Sequence, residues 1–158
     1  MNAKMPDLKR AFEKTGFTDV KTVLSSGNVI FNASIKSIAT IEREAEEAMR
    51  EHCGRAFYTI VRSSVSLQQL IDEDPFKRFK VPVNGKKVVT FLREAHEVSM
   101  NFPVELDGAK ILSSTGREVF TYYVPGPKGP VFMSLIEKTF GKNVTTRTWD
   151  TVKKCAVA

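Results

Sequence analysis

Two pairs of landmarks recur at nearly the same spacing along this chain. The segment Leu24–Gly27 is similar to Leu112–Gly116, which begins 88 residues later, and Gly54-Arg55 is similar to Gly141-Lys142, 87 residues later. Self-similarity at a fixed offset is the sequence signature of an internal duplication. The 158 residues are therefore predicted to contain two copies of one structural unit.

Hydrophobic periodicity gives each half the same order of elements. Apolar residues at helical spacing alternate with short segments rich in β-formers, and glycines end several of the runs. Ser66, with Gln69 three residues later, predicts a capped helix start. Each half is predicted to run strand, helix, hairpin, helix, strand, so the predicted fold class is α+β with two tandem ferredoxin-like βαββαβ repeats. The predicted helices are 6–15, 38–53, 66–73, 132–140 and 149–156; the predicted strands are 19–24, 28–32, 56–61, 87–92, 109–113, 118–124 and 144–146.

The first repeat is predicted to lack its opening strand. The strand at 87–92 opens the second half, and its counterpart at the same offset falls at or before the first residues of this chain. We therefore expect a truncated first repeat (1–76), a basic connector (77–86) and a complete second repeat with a C-terminal helix (87–158). An unpaired sheet edge invites strand addition, so a homodimer through that edge is expected. A longer natural chain that supplies the strand is the alternative.

The charge pattern favours an anionic partner. The chain carries 24 Lys and Arg against 18 Asp and Glu, a net charge of +6. Two segments concentrate the cations: residues 77–87 hold five and no acid, and residues 138–154 hold five and one acid, Asp150. Such a pattern permits an anionic small molecule or nucleic acid. Two solvated surfaces without a ligand are the alternative.

Composition excludes several other classes of protein. The longest stretch without a charge is 14 residues, Thr22–Ile35, whereas a membrane span needs roughly 20 apolar residues. The N-terminus lacks a secretory h-region, and two Cys cannot build a disulfide framework, so a cytoplasmic protein is expected. His52 and His96 are the only histidines, and a zinc site needs about four converging ligands. No metal, no cofactor and no recognisable catalytic motif are therefore expected, which leaves enzymatic activity uncertain and disfavoured.

Four residues are candidates for ligand contact. Ser26 and Asn28 lie in the first hairpin, where hydroxyl, amide and turn N–H groups can form a small anion-binding nest; ordinary turn chemistry is the alternative. Arg147 precedes Thr148, the expected cap of the last helix. A cation there opposes the positive end of the helix dipole unless an anion is present. Arg147 and nearby Lys142 are therefore expected to meet an anionic ligand, or else a protein carboxylate.

Several segments resemble one bacterial family. They are Asn2–Leu8, Gly16–Val20, Ser26–Phe31, Asp74-Pro75-Phe76 and Thr145–Val152. Together they resemble the domain of unknown function 1697 family over essentially the whole chain. The resemblance implies a ferredoxin-like α+β fold and no established activity. Family members usually begin with a strand and a Gly-rich segment that is not seen here, and the family's Arg-Asn-Trp-Asn is replaced by Arg147–Asp150.

Three functions follow as hypotheses. The leading one is a non-enzymatic binding module that holds an anionic ligand or nucleic acid on basic surface around Arg147 and the 77–87 segment. An enzyme of unrecognised type, with its site between the repeats, is the second. A structural or oligomeric module is the third.

Overall fold

The computed structural model describes residues 4–24, 27–95, 102–106, 108–126 and 131–158. Over these residues the chain is a mixed α+β structure with five helices and two sheets. It divides into two compact units: unit 1 holds residues 1–64 and 153–158, and unit 2 holds residues 65–152. These limits differ from the repeat boundaries expected at 76 and 87. Those boundaries follow the sequence offset, and they stay a prediction.

Unit 1 packs a two-stranded sheet against two helices. Its elements are α1 (Met5–Lys14), the antiparallel pair β1 (Thr18–Val23) and β2 (Asn28–Asn32), and α2 (Ile38–Cys53). The rings of Phe12, Phe17 and Phe31 pack with centroids 4.5–5.6 Å apart at the centre of the core. A two-stranded hairpin alone is marginal in water, so this helix packing is what stabilises it.

Local signals define the ends of α2. The Ser37 hydroxyl accepts a hydrogen bond from the Thr40 backbone N–H at 3.2 Å and so caps the first turn. Gly54 follows the last turn with φ 80°, a left-handed conformation that residues with a Cβ adopt at a cost. Both ends agree with the prediction because both are set by residues adjacent in sequence.

The strand predicted at 56–61 is wrong. These residues carry no strand assignment, and Val61 donates its backbone N–H to the Glu42 carboxylate at 2.9 Å. A side chain of α2 therefore supplies the acceptor that a neighbouring strand would otherwise provide. The β-forming residues along 56–61 gave no indication of that partner, because Glu42 lies 19 residues earlier.

The next helix, α3 (Ser64–Glu73), begins two residues before the predicted cap Ser66, which lies inside its first turn. It ends as predicted before Asp74-Pro75, because the residue before proline resists the α region. Asp74 has φ 43°, and its side chain accepts the Phe76 N–H at 3.2 Å. That bond turns the chain and directs Phe76 inward.

Unit 2 is built on a five-stranded antiparallel sheet of order β4-β5-β6-β3-β7. The helix α4 precedes the last strand, and α5 follows it directly. Thr148 caps α5 as predicted, because its hydroxyl accepts the Thr151 N–H at 3.2 Å. The bounds are β3 (Lys86–Leu92), β4 (Val104–Leu106), β5 (Ala109–Ser114), β6 (Glu118–Tyr123), α4 (Val131–Phe140) and β7 (Val144–Thr148). The helix α5 (Trp149–Val157) begins in unit 2, and its residues from Lys153 onward belong to unit 1.

The two faces of this sheet have different neighbours. One face, here called the α4 face, carries Val88 and Leu92 and packs against Phe132 and Ile136 of α4. Successive side chains of a strand point to opposite faces, so Lys87, Val89 and Phe91 belong to the other, the opposite face. There the ring of Phe76 packs edge-on against Phe120 and Trp149, with centroids 5.8 and 5.3 Å apart.

Replacing either of two threonines on the α4 face with valine is expected to change the free energy of unfolding, in opposite directions. The Thr121 hydroxyl is buried without a hydrogen-bond partner in the described part of the chain, whereas the Thr90 hydroxyl bonds that of Thr146 at 2.8 Å. Thr121→Val removes an unpaired buried polar atom and is expected to raise the free energy of unfolding by about 1 kcal/mol. Thr90→Val is expected to lower it by about 1 kcal/mol, because a hydrogen bond is lost.

Urea denaturation of the two valine variants measures this difference. They are matched in chemistry and lie on neighbouring central strands. Equal destabilisation by both would contradict the prediction and indicate that the Thr121 hydroxyl has a partner.

Candidate anion-binding face

Asn28 has a structural role in the first hairpin, which belongs to unit 1. Its side-chain amide donates to the Val23 carbonyl at 3.0 Å, and the adjoining Gly27 has φ 91°. This bond links the two strands next to the turn and accounts for the amide by ordinary turn chemistry. Ser26, the other candidate in this hairpin, lies outside the described residues.

Arg147 and Lys142 lie at opposite ends of β7 in unit 2. Arg147 is half-buried within the strand opposite Val89, and its guanidinium donates to the Thr146 carbonyl at 2.9 Å. Lys142 is exposed in the turn before the strand. The strand residues between them, Val144–Thr146, alone span about 10 Å, so the structure does not bring these two candidates to one point.

The register of β3 and β7 places part of both basic segments on one face. Val89 pairs with Arg147, so Lys87, two residues before Val89, is a diagonal neighbour of Arg147 on the opposite face. The Lys87 ammonium also lies 5.7 Å from the centre of the Phe76 ring. Since Lys77 and Arg78 directly follow Phe76, the buried ring anchors the start of the basic connector against this same face.

A polar row crosses four strands at the end of the opposite face. Lys87 of β3 pairs with Tyr122 of β6, Tyr122 pairs with Lys110 of β5, and Lys110 pairs with Glu105 of β4. Directly opposed residues have Cβ atoms about 4.5–5.5 Å apart. The row therefore places one aromatic ring between two ammonium groups. We call Lys87, Tyr122, Lys110 and Glu105 the polar row.

Charge changes sign along the polar row. The Lys110 ammonium lies 3.6 Å from the Glu105 carboxylate, and the side chains are 30% and 71% exposed. An ion pair this exposed adds little stability, so the pair is free to exchange partners. The Lys87 end of the row is thus positive, and the Glu105 end carries the acid.

A cavity of about 320 Å³ adjoins the polar row. Its lining consists of Glu105, Leu106, Gly108, Ala109, Tyr122 and Val124. The Tyr122 ring also lies close to the connector, because a Cβ added to Gly85 would be only 3.3 Å from Tyr122 Cδ1 and 3.1 Å from the Pro82 carbonyl oxygen. The absence of a side chain at Gly85 therefore leaves room for the ring between the connector and the cavity.

Lys110 and Glu105 are the members of the row that sequence reasoning missed. Lys87 lies in the basic segment 77–87 and Tyr122 in the predicted strand 118–124, but nothing in the sequence linked the two residues. Pairing Lys110 with Tyr122 requires the register of the hairpin around the Thr115-Gly116 turn. The ladder between β5 and β6, however, shifts between Ile111 and Ser113, so a plain count from the turn gives the wrong partner.

The described residues offer no metal centre, and the surroundings of Cys53 disfavour an activated thiol at that position. No group of three His, Cys, Asp or Glu side chains among them is arranged to hold an ion. Burial raises the pKa of the Cys53 thiol, and the charge of Asp7 raises it further, with a smaller opposing effect from Arg10. A raised pKa keeps the thiol protonated at neutral pH, which disfavours Cys53 as a nucleophile.

Among the described helices, none has the length and apolar character to cross a membrane.

Comparisons with known proteins give a family and a fold. The family model described as "Protein of unknown function (DUF1697)" matches residues 1–120. No curated protein matches the chain. Among solved structures, the chain is similar to a conserved bacterial protein from Streptococcus pneumoniae, with 17% identity, a TM-score of 0.70, and coverage of 99% of this chain and 88% of that one. At this identity the likeness bears on the fold alone.

Proposed function

The chain belongs to the DUF1697 family of proteins of unknown function, and we propose that it is a non-enzymatic module that binds an anionic ligand. The observation that carries the proposal is the polar row, in which Lys87 and Lys110 flank Tyr122 on one sheet face. Converging cations on a rigid sheet attract an anion without the cost of ordering a loop. Arg147, a diagonal neighbour of Lys87, adds positive charge to the same face.

The fold explains why these lysines stay in place. Lys87 and Lys110 sit on strands with paired neighbours on both sides, and the adjacent Val89 and Phe120 are buried. Lys87 further lies over the Phe76 ring, a cation–π arrangement that restrains its long side chain. An anion that binds here therefore meets ammonium groups that are already positioned.

Inorganic tripolyphosphate tests this proposal, because it has charge and no other recognition group. Lys87→Gln and Lys110→Gln are each expected to weaken its binding about tenfold in isothermal titration calorimetry, since each removes a charge-assisted contact. Lys9→Gln changes net charge equally on α1 of unit 1 and is the matched control, with no expected effect. Lys142→Gln is expected to weaken binding less than Lys87→Gln, because Lys142 lies at the far end of β7.

Two results would contradict the proposal. The first is that tripolyphosphate does not bind at low salt. The second is that Lys9→Gln weakens binding as much as Lys87→Gln does, which would indicate a net-charge effect without a site. Nucleic acid is the alternative ligand of this face; its binding would fall steeply with salt because each neutralised phosphate releases counterions.

We also propose that the fold is a pair of related βαββαβ repeats. Equivalent landmarks share their conformation: φ is 91° at Gly27 and 94° at Gly116, and it is 80° at Gly54 and 85° at Gly141. In unit 2, the opening strand β3 lies between β6 and β7, which supports a split βαβ arrangement there. A ferredoxin-like assignment of unit 1 rests on the sequence offset and these two turns.

A homodimer through an exposed sheet edge remains our proposal for assembly. Within the described residues, β1 and β2 pair only with each other, so each has an outer edge without a strand neighbour. Such edges add strands from another copy unless they are blocked. Light scattering is expected to give twice the mass of 17.7 kDa. A stable monomer at high concentration would contradict the dimer and leave the anion proposal untouched.

A further inference from the structure

We infer that the polar row and its cavity bind a mononucleotide, with the base on Tyr122 and the phosphates toward Lys87. This inference rests on the proposed function and names its ligand class. An anion site needs cations alone, but this one places an aromatic ring between them and opens that ring to a cavity. A ligand with both a flat ring and a phosphate chain uses every member of the row.

The Tyr122 ring is suited to stacking because the connector confines it on one side. A Cβ added to Gly85 would approach the ring to 3.3 Å, and the Phe76–Lys87 contact holds the connector's other end near the same strand. Bases stack on aromatic side chains with little regard to base identity. A ring already held in position loses little conformational freedom when the ligand arrives.

The cavity has the size and lining for one base. Its volume of about 320 Å³ is at the lower end of the range for small-molecule sites. Val124 supplies apolar surface beside Tyr122, and Glu105 supplies a carboxylate. Ala109 also borders the cavity, but its side chain is 2% exposed and packs in the core of the α4 face. A carboxylate accepts hydrogen bonds from the exocyclic amine of a base, as it does from cytosine in DNA recognition. The cavity therefore fits a single amine-bearing base.

The sign change along the row fixes the direction of the ligand. Glu105 repels a phosphate, while Lys87, at the other end of the row, attracts it. Lys110 lies between them, pairs with Glu105 at 3.6 Å, and can turn toward the first phosphate. The base is thus expected at the β4–β5 end, and the terminal phosphates are expected near Lys87 and Arg147.

Calorimetry with ATP and tripolyphosphate separates this inference from the proposed function. Stacking should make ATP bind about tenfold more tightly than tripolyphosphate to the full chain. Tyr122→Leu should reduce the ratio of the two affinities to about one, and the far-ultraviolet dichroism of the variant should match that of the unaltered chain, which shows that it is folded. Tyr122→Phe, which keeps the ring, should preserve the difference.

Each other result has a defined meaning. Equal affinities for ATP and tripolyphosphate in the unaltered chain would overturn the nucleotide inference and leave anion binding standing. Absence of binding by either would overturn both. An eight-residue oligo(dA) that binds more tightly than ATP, with a steep salt dependence, would assign the stacking site to single-stranded nucleic acid and overturn the mononucleotide.

Discussion

Replacing Phe76 with alanine is expected to lower the free energy of unfolding by about 3–5 kcal/mol. Phe76 is 2% exposed and packs edge-on against both Phe120 and Trp149. Removing it loses these contacts and leaves a cavity under the connector. Because whole domains are stable by only about 5–15 kcal/mol, the variant should unfold at a much lower urea concentration when followed by circular dichroism.

Phe79→Ala is the matched control for this experiment. Phe79 lies three residues further along the same turn, is half-buried, and contacts the Arg78 guanidinium 5.3 Å from its ring centre. Its truncation is expected to cost about 1 kcal/mol, because less apolar surface leaves water on folding. Equal losses at the two positions would show that Phe76 does not anchor the turn. Phe76→Ala should also weaken tripolyphosphate binding, since Lys87 loses the ring beneath it.

The second large effect is expected at Glu42 in unit 1. Its carboxylate is 3% exposed and accepts the Val61 N–H at 2.9 Å. Glu42→Leu keeps the bulk but removes the acceptor, so it is expected to lower the free energy of unfolding by about 2–3 kcal/mol. Glu42→Gln retains a side-chain carbonyl and should recover most of that loss.

Glu47→Leu provides the comparison on the same helix. Glu47 is exposed, and surface substitutions away from special features usually change stability by no more than about 0.5 kcal/mol. In thermal and urea unfolding, Glu42→Leu should therefore be clearly less stable than both Glu42→Gln and Glu47→Leu. If Glu42→Leu matched Glu47→Leu, the segment after α2 would have another acceptor for Val61.

Sequence patterns predicted the elements whose ends depend on neighbours in the chain. The helix ends at Gly54 and Gly141, the stop at Asp74-Pro75 and the Thr148 cap are all set within a few residues, and the structure agrees with each. The predicted strand at 56–61 failed because its decisive partner, Glu42, is distant in sequence. The three-residue strand β4 was missed because it is too short to show alternation.

The candidate site was predictable only in part for the same reason. The density of cations singled out the 77–87 segment, and the helix-dipole argument singled out Arg147. Neither argument needs to know which strands pair or in what register. Joining Lys87 to Tyr122 and Lys110 required the strand order and the irregular β5–β6 ladder. Local propensity does not give the strand order, because that order depends on pairing between distant segments. It does not give the β5–β6 register either, because that register depends on a shift of a single residue.

The placement of Trp149 gives this protein a built-in optical probe. It is the chain's one tryptophan, it is 3% exposed, and it packs on Phe76 within unit 2. Intrinsic tryptophan fluorescence should therefore report on the packing of Trp149 with Phe76 in unit 2, whereas far-ultraviolet dichroism averages the helices of both units. If the unfolding transitions followed by fluorescence and by dichroism coincide, the chain unfolds as a single cooperative unit. If their midpoints differ, the two units unfold separately and differ in stability.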